Sequence, residues 1–158
     1  MTEESRLNGI EQRLRAVEDE LSILRLLATY GPLVDSGCAE EAAELWTEDG
    51  IYEPGGVGKA AGRPAIASLY RMDRHRELVA RGAMHHTAMP RVAVDGDCAQ
   101  AVGYSFVAEN SGEGFALWRA SINRWVLRRT GEGWRIVERR NRVLDGSPEA
   151  QGLLRAVL

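Results

Sequence analysis

Cysteine, lysine, histidine and long apolar runs are all scarce in this 158-residue chain, and most of these shortages remove a class of explanation. The only cysteines, Cys38 and Cys98, stand apart, with no C-x-x-C and no framework of spacings. They read as reduced thiols of a cytoplasmic protein, not as disulfide partners or a metal cage. Lys59 is the single lysine among 20 basic residues, a skew that carries no functional reading. The 3 histidines have no ligand spacing, so no metal site is expected. A formal charge of −3 argues against a general nucleic-acid binder. No apolar stretch approaches the ~20 residues of a membrane span. The opening MTEESRLNG is acidic and lacks the apolar centre of a secretory signal. What remains is 44% hydrophobic and 27% charged, an ordinary globular balance. One domain over residues 1–158 is expected, large enough to bury a core without disulfide or metal support.

Leu7, Ile10, Leu14, Val17, Leu21 and Leu24 recur at intervals of three and four, the period of one helical face, with Glu11, Arg13, Glu18 and Glu20 on other faces. This predicts an amphipathic N-terminal helix whose stripe packs on its own domain, a short coiled coil with a partner being the alternative. A break near Asn8-Gly9 is conceivable. Gly31-Pro32 predicts a kink or an end near Tyr30, because proline removes a helical hydrogen bond and restricts the residue before it. A second helix is expected over Ala39 to Trp46, Thr47 to Gly50 as its exit turn, and a short strand at Ile51-Tyr52-Glu53. Gly55-Gly56-Val57-Gly58 reads as a flap, since no GKS or GKT follows it. Gly62-Arg63-Pro64 opens a third helix to about Ala80. From His85 onward the period becomes two. Four strands are expected at Arg91 to Val94, Ala99 to Ala108, Phe115 to Arg128 and Trp134 to Val143, joined by Asp-Gly and Gly-rich hairpin turns. Helices followed by an antiparallel meander define an α+β cone. Ser147 to Leu158 reads as a short helix that closes the cone or docks on a neighbour.

Tyr30 and Asp35 close the first helix, and the pair His85-His86 opens the first strand. A phenol donates, an imidazole titrates near neutrality and a carboxylate orients it, which is the equipment of proton transfer. Tyr30 and Asp35 lie about 140° apart on an ideal helix, so they share a site only if the chain turns at Gly31-Pro32. Neighbouring strand residues point to opposite faces, so one of His85 and His86 is expected to face inward. Trp118, Trp125 and Trp134 alternate with many arginines, which predicts buried rings and solvated guanidinium groups on the far face of the sheet. That outer face is extensive, and self-association through it as a dimer or trimer is expected.

The runs IEQRLRAVEDELSILRLLATYGPLVDSG, AAELWTEDGIYEPGG, GRPAI, HHTAMPRVAVDGDCA and GWRIVERR together resemble the SnoaL-like branch of the nuclear-transport-factor-two-like superfamily, which includes scytalone dehydratase. The resemblance spans about residues 10 to 145. It implies helices packed in a strongly curved antiparallel sheet, a deep apolar pocket and homo-oligomers. It makes Tyr30 similar to the pocket tyrosine of the dehydratase members, Asp35 to their helix-end aspartate and His85 to their catalytic histidine; counting back from the Asp95-Gly96 turn favours His85 over His86. Tyr52, His86, Tyr104, Trp118 and Asn123 are candidates for the pocket wall. Where many members carry tyrosine and aspartate two residues apart, this chain has Asn123 and Trp125, a departure that bears on the substrate. The function implied is a cofactor-independent dehydratase (a lyase) or isomerase acting on an apolar cyclic polyketide, steroid or terpenoid-like substrate. The alternatives are a non-catalytic module that binds a hydrophobic ligand or a protein, and the structural small subunit of an oxygenase.

Overall fold

A computed structural model describes residues 2–56 and 58–156. Val57 of the flap and the last two residues of the tail lie outside them. Helix α1 spans Glu3–Asp35, capped by the Thr2 hydroxyl, which accepts from the Ser5 amide, and by Glu3 and Glu4 at the positive end of its dipole. It is unbroken at Asn8-Gly9 and continues through Gly31-Pro32 to Asp35, which corrects the end expected near Tyr30. The physical reason lies in the pair itself. Part of the clash of a proline ring falls on the Cβ of the residue before it, and Gly31 has none. The ladder resumes at once, with the Ser36 amide donating to the Pro32 carbonyl at 3.0 Å.

Helix α2 is short, Ala39–Ala43, and Trp46 already belongs to strand β1, Trp46–Glu53. The expected exit turn Thr47 to Gly50 therefore lies within a strand, across an irregularity in register between Trp46 and Ile51. Burial of Trp46 at 0% exposure explains why a strand displaces the helix there. Strand β2 is Ala60–Ala61. The expected third helix is two, α3 at Arg63–Tyr70 and α4 at Asp73–Arg81. The break at Arg71-Met72 redirects the chain between two buried anchors, Tyr70 and Leu78.

Strands β3 (Ala83–Thr87), β4 (Arg91–Asp95), β5 (Cys98–Asn110), β6 (Phe115–Thr130) and β7 (Gly133–Val143) complete the sheet, followed by helix α5, Pro148–Arg155. The strand order is β2-β1-β7-β6-β5-β3, with β4 also paired to β5. Strands β5, β6 and β7 form the expected meander, but β1 runs parallel to β7, so the sheet is mixed. Irregularities of register at Val107/Ala108 and Val126/Leu127 bend the long central strands.

Helix α1 lies in the concavity, where Ile23, Leu27 and Val34 join Trp46, Ile66, Ala101, Trp125, Leu127 and Ile136 in the main core. Each fully buried side chain of this kind contributes roughly 1.5–3 kcal/mol. Helix α5 covers a patch of the convex face, placing Ala150, Leu153 and Leu154 on Val102 and Ile122. The apolar stripe of α1 departs from expectation. Leu7, Ile10, Leu14, Val17 and Leu21 are all exposed, because the helix meets the rest of the chain only from Asp19 onward. No helix among the described residues is long and apolar enough to cross a membrane.

Candidate active site

Between α1, α3, α4 and the concave face of the sheet lies a cavity of about 170 Å³. Its position follows from three local choices in the sequence. At Gly31, a Cβ would stand 2.0 Å from the His85 carbonyl oxygen, so only glycine lets the end of α1 rest on β3. Its contact brings Asp35 to the strand. One carboxylate oxygen accepts the His85 backbone N–H at 2.8 Å and the other meets His85 Nδ1 at 2.5 Å. The remaining choice is the register of β5, β6 and β7, which aligns Ser105 with Ser121, Asn123 with Asn141 and Trp125 with Arg139.

His85 and Asp35 are largely enclosed, their side chains 13% and 20% exposed. A carboxylate accepts only, so Nδ1 is the donor of this contact and Nε2 is the ring nitrogen left for another partner. The Tyr30 ring stands perpendicular to His85 with centroids 6.5 Å apart, and both border the cavity. Asp35 reaches the same region as Tyr30 because α1 continues to it and β3 meets it there. His86 also borders the cavity, but it is exposed and its ring lies 4.8 Å from that of Phe106.

His75, from α4, is the residue whose role here the sequence did not announce. Its ring lies 5.4 Å from that of His85, and its Nε2 is 3.4 Å from the Val34 carbonyl. Burial, and then the neighbouring His85, hold its pKa below the ordinary histidine value. The arginine pattern also hid two cavity residues. Arg139 is 3% exposed, which corrects the expectation that the sheet arginines face solvent. Its guanidinium stands 4.3 Å over the Tyr30 ring and 4.8 Å over Tyr52, and its Nε donates to Asn123 at 3.0 Å. Arg119 donates to Asn141 Oδ1 at 2.6 Å and to the Pro54 carbonyl at 3.1 Å. Among the described residues no carboxylate pairs with either arginine.

Of the wall candidates, Tyr52 and Trp118 border the cavity. Asn123 stands behind the wall, accepting from Arg139 and Asn141 and donating to Ser105. Tyr104 is 53% exposed on the opposite face, aligned with Ile122, and is removed from the wall. The alternation of a strand explains it, since Ser105 and Gly103 take the inward positions. Burial pushes the Tyr52 and Tyr70 phenols above their ordinary pKa, so both remain protonated donors. The Tyr70 hydroxyl is buried in the cavity wall and has no hydrogen-bond partner among the described residues. At the rim, Arg74 of α4 lies 5.4 Å over the ring of Trp118 from β6. Among the described residues no three His, Cys, Asp or Glu side chains are grouped as metal ligands would be.

A curved sheet wrapped on a long helix, with a polar-floored cavity between them, defines the NTF2-like, or cystatin-like, class of α+β proteins. The comparisons agree. The SnoaL-like domain matches residues 15–140, and the chain belongs to that family. A crystal structure of an NTF2-like protein with a cystatin-like fold from Novosphingobium aromaticivorans superposes with a TM-score of 0.90 at 47% identity, over 94% of this chain and 96% of that one. A protein of unknown function from Mycobacterium tuberculosis gives 0.71 at 27% identity, over 87% and 92%. A Catenulispora acidiphila protein in complex with S-DNPA gives 0.68 at 23% identity, over 78% and 91%, a likeness that shows the fold alone. None of the curated proteins matches the chain.

Proposed function

We propose that the protein is a cofactor-independent dehydratase or isomerase that removes a proton α to a carbonyl of a cyclic substrate. The observation that carries this reading is the Asp35–His85 pair, in which His85 borders the cavity and is held from behind by two hydrogen bonds to the Asp35 carboxylate. Asp35 fixes the tautomer and stabilises the imidazolium that forms; His85 Nε2 takes the proton. Charge then develops on the carbonyl oxygen, where the Tyr30 hydroxyl and the buried Arg139 supply electrostatic stabilisation. Loss of a β-hydroxyl, protonated by the imidazolium, gives dehydration. Return of the proton to another carbon of the enolate gives isomerisation.

The cavity modifies the substrate expected from sequence. At about 170 Å³ it is smaller than the ~300 Å³ at which drug-sized sites begin, so it takes one or two fused rings and leaves the rest at the rim. The phenols of Tyr30, Tyr52 and Tyr70 and the guanidinium of Arg139 suit an oxygenated end better than a wholly apolar one. The binding of S-DNPA by a distant protein of the same fold is consistent with a small cyclic ligand.

Exchange of α-protons in deuterated water, followed by NMR on a bicyclic ketone such as a tetralone, tests the reading without knowledge of the natural substrate. The protein should accelerate deuteration. His85→Ala should lower that rate by roughly 10² to 10⁴, the usual contribution of general acid–base catalysis. Tyr30→Phe should lower it while ligand affinity changes little. A rate that is unaltered in His85→Ala defeats the mechanism, and binding without exchange points to a ligand-holding module.

A further inference from the structure

The outer half of α1 has no partner among the described residues. Residues 3–18 are exposed almost throughout, and Leu7, Ile10, Leu14, Val17 and Leu21 are between 42% and 62% exposed. The domain grips α1 through Asp19, Ile23 and Leu27. At about 100° per residue, Asp19 and Ile23 lie roughly 160° around the helix from the centre of the stripe. The domain therefore holds one face and leaves the apolar face pointing away. Free helices of about 15 residues are marginal in water even with favourable sequences, so a projecting segment of this kind needs a cover.

The spacing says what covers it. From Leu7 to Leu24 the intervals are 3, 4, 3, 4 and 3, a heptad repeat with Leu7, Leu14 and Leu21 at a and Ile10, Val17 and Leu24 at d. The flanking g positions are Arg6, Arg13 and Glu20, and the e positions are Glu11, Glu18 and Arg25. In a parallel pair each g residue faces the e residue of the next heptad on the other helix. Arg6 then meets Glu11 of the second copy, Arg13 meets Glu18 and Glu20 meets Arg25, so every pair is of opposite sign. In the antiparallel alignment of the same heptads, Arg13 faces Arg13 and Glu18 faces Glu18 at the centre.

We infer that residues 6–25 form a parallel coiled-coil seam with a second copy of this chain, the two domains hanging on the outer sides of the helix pair. The inference is independent of the proposed activity. It also moves the self-association expected from sequence away from the convex face of the sheet, part of which α5 covers.

Sedimentation velocity of the full chain over a wide concentration range reads the mass, and far-UV circular dichroism controls for folding. The unaltered protein should associate. Leu14→Asp combined with Val17→Asp should lower the mass while the domain still melts cooperatively. Arg13→Glu and Glu18→Arg should each weaken association roughly tenfold, and mixing the two variants should restore it, since every affected pair is again of opposite sign. Orientation is read separately. Leu14→Cys places a thiol at an a position, which in a parallel seam lies beside its own counterpart, so mild oxidation should cross-link it quantitatively. Leu at a with Ile and Val at two d positions also suits four-helix seams, so a tetramer dissolved by the same substitutions supports the inference as a dimer does. A chain that is monomeric throughout, or a mass untouched by the aspartate pair, overturns it. Failure of Leu14→Cys to cross-link overturns the parallel arrangement.

Discussion

His75 shows how much of a site can sit on residues that carry no signature of their own. It lies in Asp73-Arg74-His75-Arg76-Glu77, a polar run whose pattern describes a solvated helix, yet the ring turns inward to His85 and the Val34 carbonyl. Its lowered pKa makes a prediction about stability. The folded protein prefers neutral His75, while the unfolded chain takes up a proton near the ordinary value of 6.5. Stability is therefore lost as pH falls below that value, and it is retained above it. Thermal midpoints measured against pH should fall on the acid side, and His75→Asn should flatten that slope. An equal slope in the variant would assign it to other groups. Arg139 was hidden for a related reason. Its neighbours Arg135, Arg140 and Arg142 are half-buried or exposed, and nothing in their spacing marks the one that turns inward. Tyr30, Asp35 and His85 stood out by residue type, near the end of the long helical repeat and at the start of the alternating one, and the fold brings them to one region.

At the scale of elements, α1 is held to the sheet by a polar clamp as well as by its apolar face. Both oxygens of Asp19 accept from Arg129 of β6, at 2.7 and 2.6 Å, and one also accepts from Trp134 Nε1 of β7 at 3.2 Å. Arg129 stacks over the Trp134 ring at 4.6 Å. The hydrogen bonds from Arg129 hold the Asp19 pKa below its ordinary 3.8, so the clamp contributes fully above that value and is lost as pH falls below it through the lowered one. Asp19→Asn keeps the shape and removes the charge, and urea titration at neutral pH should show a loss of about 2 kcal/mol. A loss near zero would mean that apolar packing alone positions the helix. The clamp could not be read from spacing, because its members are 110 residues apart in the chain. Element types were readable wherever periodicity ran long, as in α1, β5, β6 and β7. They failed at Trp46, where a strand begins in place of the helix, and the strand type of Ile51 to Glu53 held while its parallel pairing with β7 is announced by no local pattern.

For the molecule as a whole, β3 deserves a different description, as one of the two ends of a seven-stranded sheet. The end of an open sheet offers unpaired backbone donors and acceptors to any passing strand, and proteins that leave such an edge bare tend to polymerise. His85 is the middle residue of β3, and its backbone N–H is taken by Asp35 instead of by β5. The close approach at Gly31 lays the end of α1 along that edge. One carboxylate thus aligns an imidazole and also closes the sheet to intruders. Asp35→Ala should therefore change how the protein behaves in storage as well as any turnover it has. Dynamic light scattering at raised protein concentration should record slow growth of large species in Asp35→Ala, while His85→Ala, which keeps the backbone bond, stays clear. If the two variants age alike, the edge is protected by something other than the carboxylate.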